Sequence, residues 1–165
     1  MQRNLFLLSA LIILFAGCTR NDDQRAFEQQ AYQPASGITQ TNALGEVLST
    51  DEDDWRTSPL FEGLINISPP FPNPARTNQA ITFEIDVTGV QAVSGLEMIV
   101  WFSSNRFATI YFDNQSPLPP GLTTFQINPI ELSEFGTIET ARGTHRVILF
   151  DGNQQMISYG DIRVE

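Results

Sequence analysis

The sequence predicts an all-β fold, an antiparallel β-sandwich of about seven strands. After Phe61, short stretches that alternate apolar and polar residues are separated by Pro, Gly and Asn, a pattern typical of half-buried strands joined by turns. In the clearest stretch, Ile81–Val87, the four apolar side chains point to one face and Thr, Glu and Asp to the other. No two stretches are separated by a convincing helical pattern, which argues against parallel βαβ units.

Seven segments have the strand pattern, and turn chemistry places their connections. The segments are Gly63–Ile67, Ile81–Val87, Leu96–Phe102, Phe107–Asp113, Thr123–Asn128, Thr144–Phe150 and Met156–Val164. Asp151-Gly152-Asn153 supplies residues that tolerate positive φ, so the last two strands are expected to form a hairpin. The prolines of Pro69–Pro74 cannot donate backbone hydrogen bonds, which places this segment at a sheet edge or at a crossing between sheets.

Composition excludes several classes of function. The chain has 165 residues, nineteen Asp and Glu against nine basic residues, and a formal net charge of −10. Nucleic-acid binding rests on clustered Lys and Arg, so nucleic acid is not expected as a partner. One Cys cannot form an internal disulfide, and one His leaves almost no room for a histidine-based metal site or a Ser-His-Asp triad.

The sequence gives little support to catalysis. It contains no G-x-S-x-G motif, no phosphate-binding loop and no metal-ligand spacing. His145 lies in a predicted strand with Val147 and Leu149 on its face, so we expect a half-buried, hydrogen-bonded imidazole. We therefore predict that the chain is not an enzyme, has no catalytic residues and binds no cofactor or metal.

The first residues predict a signal peptide over residues 1–17. Arg3 precedes about a dozen apolar residues that end at Ala16. A helix that spans a bilayer needs roughly twenty apolar residues, so this run is too short to span.

The only cysteine stands where the apolar run ends. Leu14, Phe15, Ala16 and Gly17 precede Cys18, and this arrangement resembles the lipobox of bacterial lipoproteins. The resemblance implies cleavage before Cys18, acylation of its thiol and new amino terminus with fatty acids such as palmitate, and a membrane partner held through these chains.

Two features after the cysteine bear on localisation. Thr19, in place of the Asp that retains lipoproteins in the inner membrane, favours the outer membrane. The pair Asp22-Asp23 resembles the acidic stretch of surface-exposed lipoproteins in Bacteroidetes-type bacteria. The periplasmic face and the cell surface both remain open.

Residues 18–60 are rich in Gln, Asn, Thr, Ser and acidic residues, with no sustained apolar period. We predict a lipidated, acidic, flexible tether, with room for a short helix at Asp22–Tyr32. The acidic run Asp51–Asp54 is interpreted as solvated linker, with a calcium site as the alternative.

Residues 61–165 form the predicted sandwich domain, and a second resemblance supports it. The run Phe71-Pro72-Asn73-Pro74-Ala75-Arg76 and the strand at Ile81 resemble the opening of immunoglobulin-like domains in flagellar hook-capping proteins and at the C-termini of type IX secretion cargo. Gly143–Val147 is similar to the last hairpin of these domains. The resemblance covers residues 71–165 and implies the sandwich; a lipidated Cys18 would make its sorting role unnecessary.

The hairpin Leu96–Asp113 has no polar face. A turn at Ser103–Arg106 would place Phe102 opposite Phe107, with Leu96 facing inward. The outer face would then be apolar, and its candidate interaction patch is Ile99, Trp101, Ile110 and Phe112. We expect a cover, either from the chain itself, near Leu60–Ile67 or Pro129–Phe135, or from a partner.

Together these patterns predict a membrane-anchored lipoprotein that displays a non-catalytic β-sandwich as a binding or structural module. The alternatives are a glycan-binding sandwich and, less favoured, an envelope enzyme. Trp101, Tyr111 and Tyr159 suit stacking against sugars, although such residues also fill β cores. The expected partner is an envelope protein or a glycan.

Overall fold

The computed structural model describes residues 21–102 and 106–165. The signal peptide, Cys18 and residues 103–105 of the predicted turn lie outside the described residues. In chain order the elements are α1 (residues 21–31), β1 (Gln40–Thr41), β2 (Val47–Ser49), β3 (Ile65–Ile67), β4 (Ile81–Val87), β5 (Leu96–Trp101), β6 (Phe107–Asp113), β7 (Gly121–Ile127), a 3₁₀ turn (Pro129–Leu132), α2 (Ile138–Ala141), β8 (Gly143–Asp151) and β9 (Met156–Val164).

Two antiparallel sheets form the predicted sandwich. One has the strand order β3-β4-β7 and the other β6-β5-β8-β9, while β1 and β2 pair separately. The predicted all-β sandwich is confirmed, and all seven predicted strands are present with bounds that differ by a few residues at most. The β8–β9 hairpin around Gly152 is also confirmed.

The core between the sheets follows the alternation in the sequence. Ile81, Phe83, Ile85 and Val87 of β4 are buried, while the residues between them are half-buried or exposed. A row of aromatic rings crosses the core, with ring centroids 5.8 Å apart for Trp55 and Phe83 and 5.2 Å apart for Phe83 and Phe125. Burial of these large side chains adds to the hydrophobic stabilisation that the aliphatic core residues provide.

The proline-rich segment crosses from one sheet to the other, as predicted. Phe71 pairs with Thr82 of β4, and Ala75 pairs with Val164 of β9. Between them, the Asn73 amide donates to the carbonyl oxygens of Thr39 and Asp161, each at 2.9 Å. The fully buried Asn73 side chain therefore connects the N-terminal segment to β9.

The flexible tether expected over residues 18–60 is wrong for its described part, because residues 21–60 pack on the sandwich. Phe27 and Ala31 of α1 are buried against the outer face of β8 and β9. Further along, Trp55 is buried in the main core. Phe27 and Ala31 are one helical turn apart and Trp55 stands alone, so the segment has too few apolar anchors to produce a sustained period in the sequence.

Trp55 enters the core through a close approach to β9. The backbone N–H of Trp55 donates to the Tyr159 carbonyl at 2.7 Å, and the backbone φ angle of Trp55 is 58°. The indole lies on Gly160, where an added Cβ would be 2.3 Å from Trp55 Cε2. Only glycine leaves room for this contact.

Asp54 binds the same strand through its carboxylate. Oδ2 accepts from Thr39 N at 2.7 Å, and Oδ1 accepts from Asp161 N at 2.9 Å. Burial raises the pKa of Asp54 to about 7; the Thr39 N–H opposes this shift and the charge of Asp161 adds to it. Within the described residues, no helix is both long and apolar enough to cross a bilayer.

We expect Gly160→Ala to destabilise the fold by about 1–3 kcal/mol, because the new methyl group overpacks against Trp55. Chemical denaturation followed by tryptophan fluorescence measures this change. Leu122→Ala, at a side chain 63% exposed, is the control and should change stability by less than about 0.5 kcal/mol. Unchanged stability in Gly160→Ala would contradict the contact.

Asp54 should lower the stability of the fold as pH rises from about 4 to about 7. The folded protein keeps a proton on Asp54 up to a pKa of about 7, whereas the unfolded chain loses it near the usual 3.8. Over this window the native state binds more protons, so one group contributes a slope of up to about 1.4 kcal/mol per pH unit. Denaturation at several pH values should show a smaller slope in Asp54→Asn; an undiminished slope would assign the titration to another group.

Candidate functional site

A β-bulge changes the register that the sequence predicts for the β5–β6 hairpin. Leu96 pairs with Asp113 and Met98 with Tyr111, but the register shifts between Met98 and Ile99. Beyond the shift Trp101, and not Phe102, lies opposite Phe107. The predicted Phe102–Phe107 pair is therefore wrong, because a bulge inserts one residue that the alternating pattern does not reveal.

The bulge reverses the faces of the β6 residues between it and the turn, as Ile110 and Phe107 show. Ile110, predicted in the outer patch, packs against the main core. Phe107, predicted to face inward, is 49% exposed and lies beside Trp101. A slip of one residue reverses which side chains face the core, and here the slip brings an additional aromatic ring to the surface.

The predicted patch of Ile99, Trp101, Ile110 and Phe112 is not one continuous surface. Ile99 packs against the cluster formed by α1 and the outer face of β8 and β9. Phe112 is 63% exposed at the opposite end of the hairpin from Trp101. The chain covers part of this face: α1 packs against Ile99, and Glu134 and Phe135, at the end of the expected Pro129–Phe135 segment, line a hollow beside Trp101.

Trp101 lies in an aromatic groove at one end of the sandwich. Tyr32, just after α1, meets Trp101 edge to face with ring centroids 6.0 Å apart. On the other side the planes of Trp101 and Phe107 are within 18° of parallel, with centroids 6.3 Å apart. Tyr32 is 43% exposed and Trp101 is half-buried, so the rings remain accessible.

The groove consists of two adjoining hollows that share Trp101, Phe102 and Thr144. The first, about 340 Å³, is lined by Pro34, Ala35, Trp101, Phe102, Thr144 and Arg146. The second, about 260 Å³, is lined by Trp101, Phe102, Glu134, Phe135, Thr140, Thr144 and His145. The first hollow lies at the lower end of the range for small-molecule sites.

Arg146 forms part of the floor of the groove and is buried. It forms a two-pronged ion pair with Asp161, in which Nη2 donates to Oδ2 at 3.0 Å, and its Nη1 donates to the Ala31 carbonyl at 3.1 Å. Its guanidinium carbon lies 4.9 Å from the Tyr159 ring centroid. Burial acts to lower the Arg146 pKa, but the hydrogen bond and charge of Asp161 outweigh it and raise the pKa, so Arg146 is charged.

Two further polar groups of the groove, Arg106 with Glu134 and His145, are also bonded. Arg106 Nη1 donates to Glu134 Oε1 at 3.2 Å on the rim. His145 Nε2 lies 2.7 Å from the Ala141 carbonyl, and burial lowers its pKa, which favours the neutral ring with a proton on Nε2. The half-buried, hydrogen-bonded imidazole predicted for His145 is thus found.

The acidic run Asp51–Asp54 has a structural role that the sequence did not indicate. The Asp53 N–H donates to Asp51 Oδ1 at 3.3 Å, and Asp54 binds backbone N–H groups as described above. Among the described residues, no three or more His, Cys, Asp or Glu side chains are grouped as metal ligands would be.

Of the three aromatic residues considered for sugar stacking, only Trp101 lies in the groove. Tyr159 is fully buried under α1, and Tyr111 stacks on Phe125 at the edge of the core. Sequence reasoning missed Tyr32, Phe107 and Arg146. The arginine between apolar residues in β8 was the one available signal, since a buried guanidinium requires an acidic partner.

Comparisons with known proteins assign no family. No protein-family model matches the chain, and no curated protein matches it. The resemblance to hook-capping and type IX domains therefore stays a prediction.

Several solved structures contain chains that match this one, and two of them are polysaccharide monooxygenases. One is a lytic polysaccharide monooxygenase of Jonesia denitrificans, with 17% identity, a TM-score of 0.35 and coverage of 59% of each chain. The other is a polysaccharide monooxygenase described as CBM33, with 14% identity, a TM-score of 0.35 and coverage of 55% of this chain and 59% of that one. The chain thus matches about three-fifths of the length of each.

The prediction that the chain is not an enzyme is contradicted by this comparison, because both similar structures are those of enzymes. We withdraw that prediction. Sequence identities of 14% and 17% and TM-scores of 0.35 do not support assigning the reaction of these enzymes to this chain.

Proposed function

We propose that the chain is a lipid-anchored protein of the bacterial cell envelope that presents its β-sandwich as a binding module. The observation that carries the proposal is the apolar run of residues 5–16 that ends in small residues directly before Cys18. The aromatic groove supports the binding role, because exposed aromatic rings beside a hollow are typical of interaction sites.

The packing of α1 supports a short distance between the anchor and the sandwich. Cys18 precedes Asn21 by three residues, so their Cα atoms are at most about 11 Å apart. Asn21 already belongs to a helix that packs on β8 and β9. The acyl chains would then hold the sandwich close to the lipid head groups.

The direction of α1 gives the anchored module an orientation. Near its first described turn, the Gln24 amide donates to the Met156 carbonyl at the start of β9. At its end, the Ala31 carbonyl accepts from Arg146 in the floor of the groove. The helix is about 16 Å long, so the β8–β9 turn faces the membrane and the groove faces away from it.

We also propose an outer-membrane location, which rests on Thr19 following Cys18. The pair Asp22-Asp23 is exposed on α1, where Asp22 lies 3.9 Å from Arg25. These acids are therefore accessible at the anchored end, in agreement with a role in export to the cell surface.

Cys18→Ser should abolish labelling with radioactive palmitate and leave the signal peptide attached. The lipid-modifying step requires the thiol, and processing follows lipidation. Fatty-acid labelling and electrophoretic mobility in a lipoprotein-producing bacterium measure both effects. Thr19→Ser is the matched control and should be labelled like the wild type; a labelled Cys18→Ser protein would refute the anchor.

The proposed orientation predicts different membrane distances for two labelled positions. In acylated protein reconstituted in vesicles, a fluorophore at Asn153→Cys in the β8–β9 turn should be quenched strongly by spin-labelled head groups. A fluorophore at Glu139→Cys in α2, beside the groove, should be quenched weakly. Both residues are exposed, so labelling should leave the fold intact. Equal or reversed quenching would contradict this orientation.

A further inference from the structure

We propose that the aromatic groove binds an oligosaccharide of uncharged sugar rings. This inference rests on the proposed function, in which the sandwich is displayed as a binding module. The proposed contacts are Trp101, Phe135, Glu134 and Thr144, which line the hollows, together with Tyr32 and Phe107, whose rings contact Trp101.

The aromatic rings match the apolar part of a sugar. A pyranose ring has C–H bonds on its faces and hydroxyl groups around its edge, so a flat aromatic surface is the natural partner for a face. Trp101 and Phe107 stack on each other with their planes within 18° of parallel, and the exposed part of Phe107 and the half-buried Trp101 present aromatic surface to solvent. Tyr32 stands at 81° to Trp101 and is 43% exposed beside it.

The hydrogen-bonding groups match the edge of a sugar. Thr144 is exposed in both hollows, and Thr140 and Glu134 line the second. Hydroxyl groups can both donate to and accept from sugar hydroxyl groups, and a carboxylate can accept from them. The groove thus combines polar groups with apolar rings. The centre of a stable protein–protein interface is depleted of charged residues, so this mixture favours a sugar over a protein partner.

The charge of the groove favours a neutral ligand. Arg146 is paired with Asp161, and Glu134 is paired with Arg106 at 3.2 Å, so both acidic and basic groups of the described lining have opposite charges beside them. An anionic ligand would compete with these carboxylates, and the net charge of −10 would repel it. A cationic ligand would have to displace the arginines.

The length of the groove favours several linked rings over one. Its two hollows adjoin across Trp101, and each is open to solvent along the same end of the sandwich. A linear chain could place successive rings in the two hollows. Because the groove faces away from the proposed membrane anchor, a long polysaccharide would reach it without crossing the head groups.

The test uses the full acylated protein in a polyoxyethylene detergent, which contains no sugar. Immobilised cellohexaose, xylohexaose, mannohexaose and chitohexaose are the neutral probes, and polygalacturonate is the acidic probe. We expect at least one neutral probe to retain the protein. Trp101→Ala and Tyr32→Ala should each weaken its binding tenfold or more.

Phe112→Ala is the matched control, because this phenyl ring is 63% exposed on the same hairpin but lies outside the groove. It should bind like the wild type. Circular dichroism checks folding; if Trp101→Ala does not fold, Tyr32→Ala and Phe135→Ala, at side chains 43% and 68% exposed, decide the question.

Three results would overturn the inference. They are retention by none of the neutral probes, retention that survives the groove substitutions, and retention by polygalacturonate alone. Self-association of the protein that Tyr32→Ala abolishes, with no sugar retained, would assign the groove to a second copy and also overturn it. Palmitate labelling tests the proposed anchor independently. If the protein is labelled with palmitate but no neutral probe retains it, the sugar-binding inference is contradicted and the proposed anchor is not.

Discussion

The buried ion pair between Arg146 and Asp161 determines where the N-terminal segment lies. Two charges removed from water cost several kcal/mol each unless their hydrogen-bonding capacity is satisfied. Arg146 meets this requirement by donating to Asp161 and to the last carbonyls of α1, and Asp161 also accepts from the Ser36 N–H at 3.1 Å. The ion pair is therefore satisfied only when α1 is packed beside it. The position of Arg146 at the C-terminal end of α1 is also favourable, because the helix dipole is negative at that end.

The same region of β9 receives the other contacts of the N-terminal segment. The backbone of Asp161 donates to Asp54 and accepts from Asn73, while Gly160 provides the space for Trp55. These contacts lie within a few residues of one another, so the segment attaches at one place on the sandwich. Burial in this region is the main cause that raises the pKa of Asp54, and the nearby charges of Asp161 and Asp51 add to it.

Local patterns predicted the strands because the period of two and the turn residues are properties of neighbouring positions. Ile81–Val87 and the turn at Gly152 are examples, and the proline segment was placed correctly because prolines lack an N–H. The packed N-terminal segment could not be predicted in this way. Its attachment depends on Phe27, Trp55 and Asp54, whose partners are about a hundred residues away in β9, and one residue of each kind forms no pattern.

The candidate site shows the same limit most clearly. The sequence correctly indicated that the outer face of β5 was apolar and needed a cover, and it included Trp101 in the patch. It could not locate the bulge after Met98, which turns Ile110 into the core and Phe107 to the surface. Because Phe107 lies next to Trp101 only in the shifted register, the aromatic groove depends on this one inserted residue.

The aromatic groove also depends on Tyr32. Helix α1 brings Tyr32 to Trp101, and the C-terminus of α1 is held by its contact with Arg146. The groove therefore arises where a local irregularity of one strand meets the charged contact that holds the N-terminal helix.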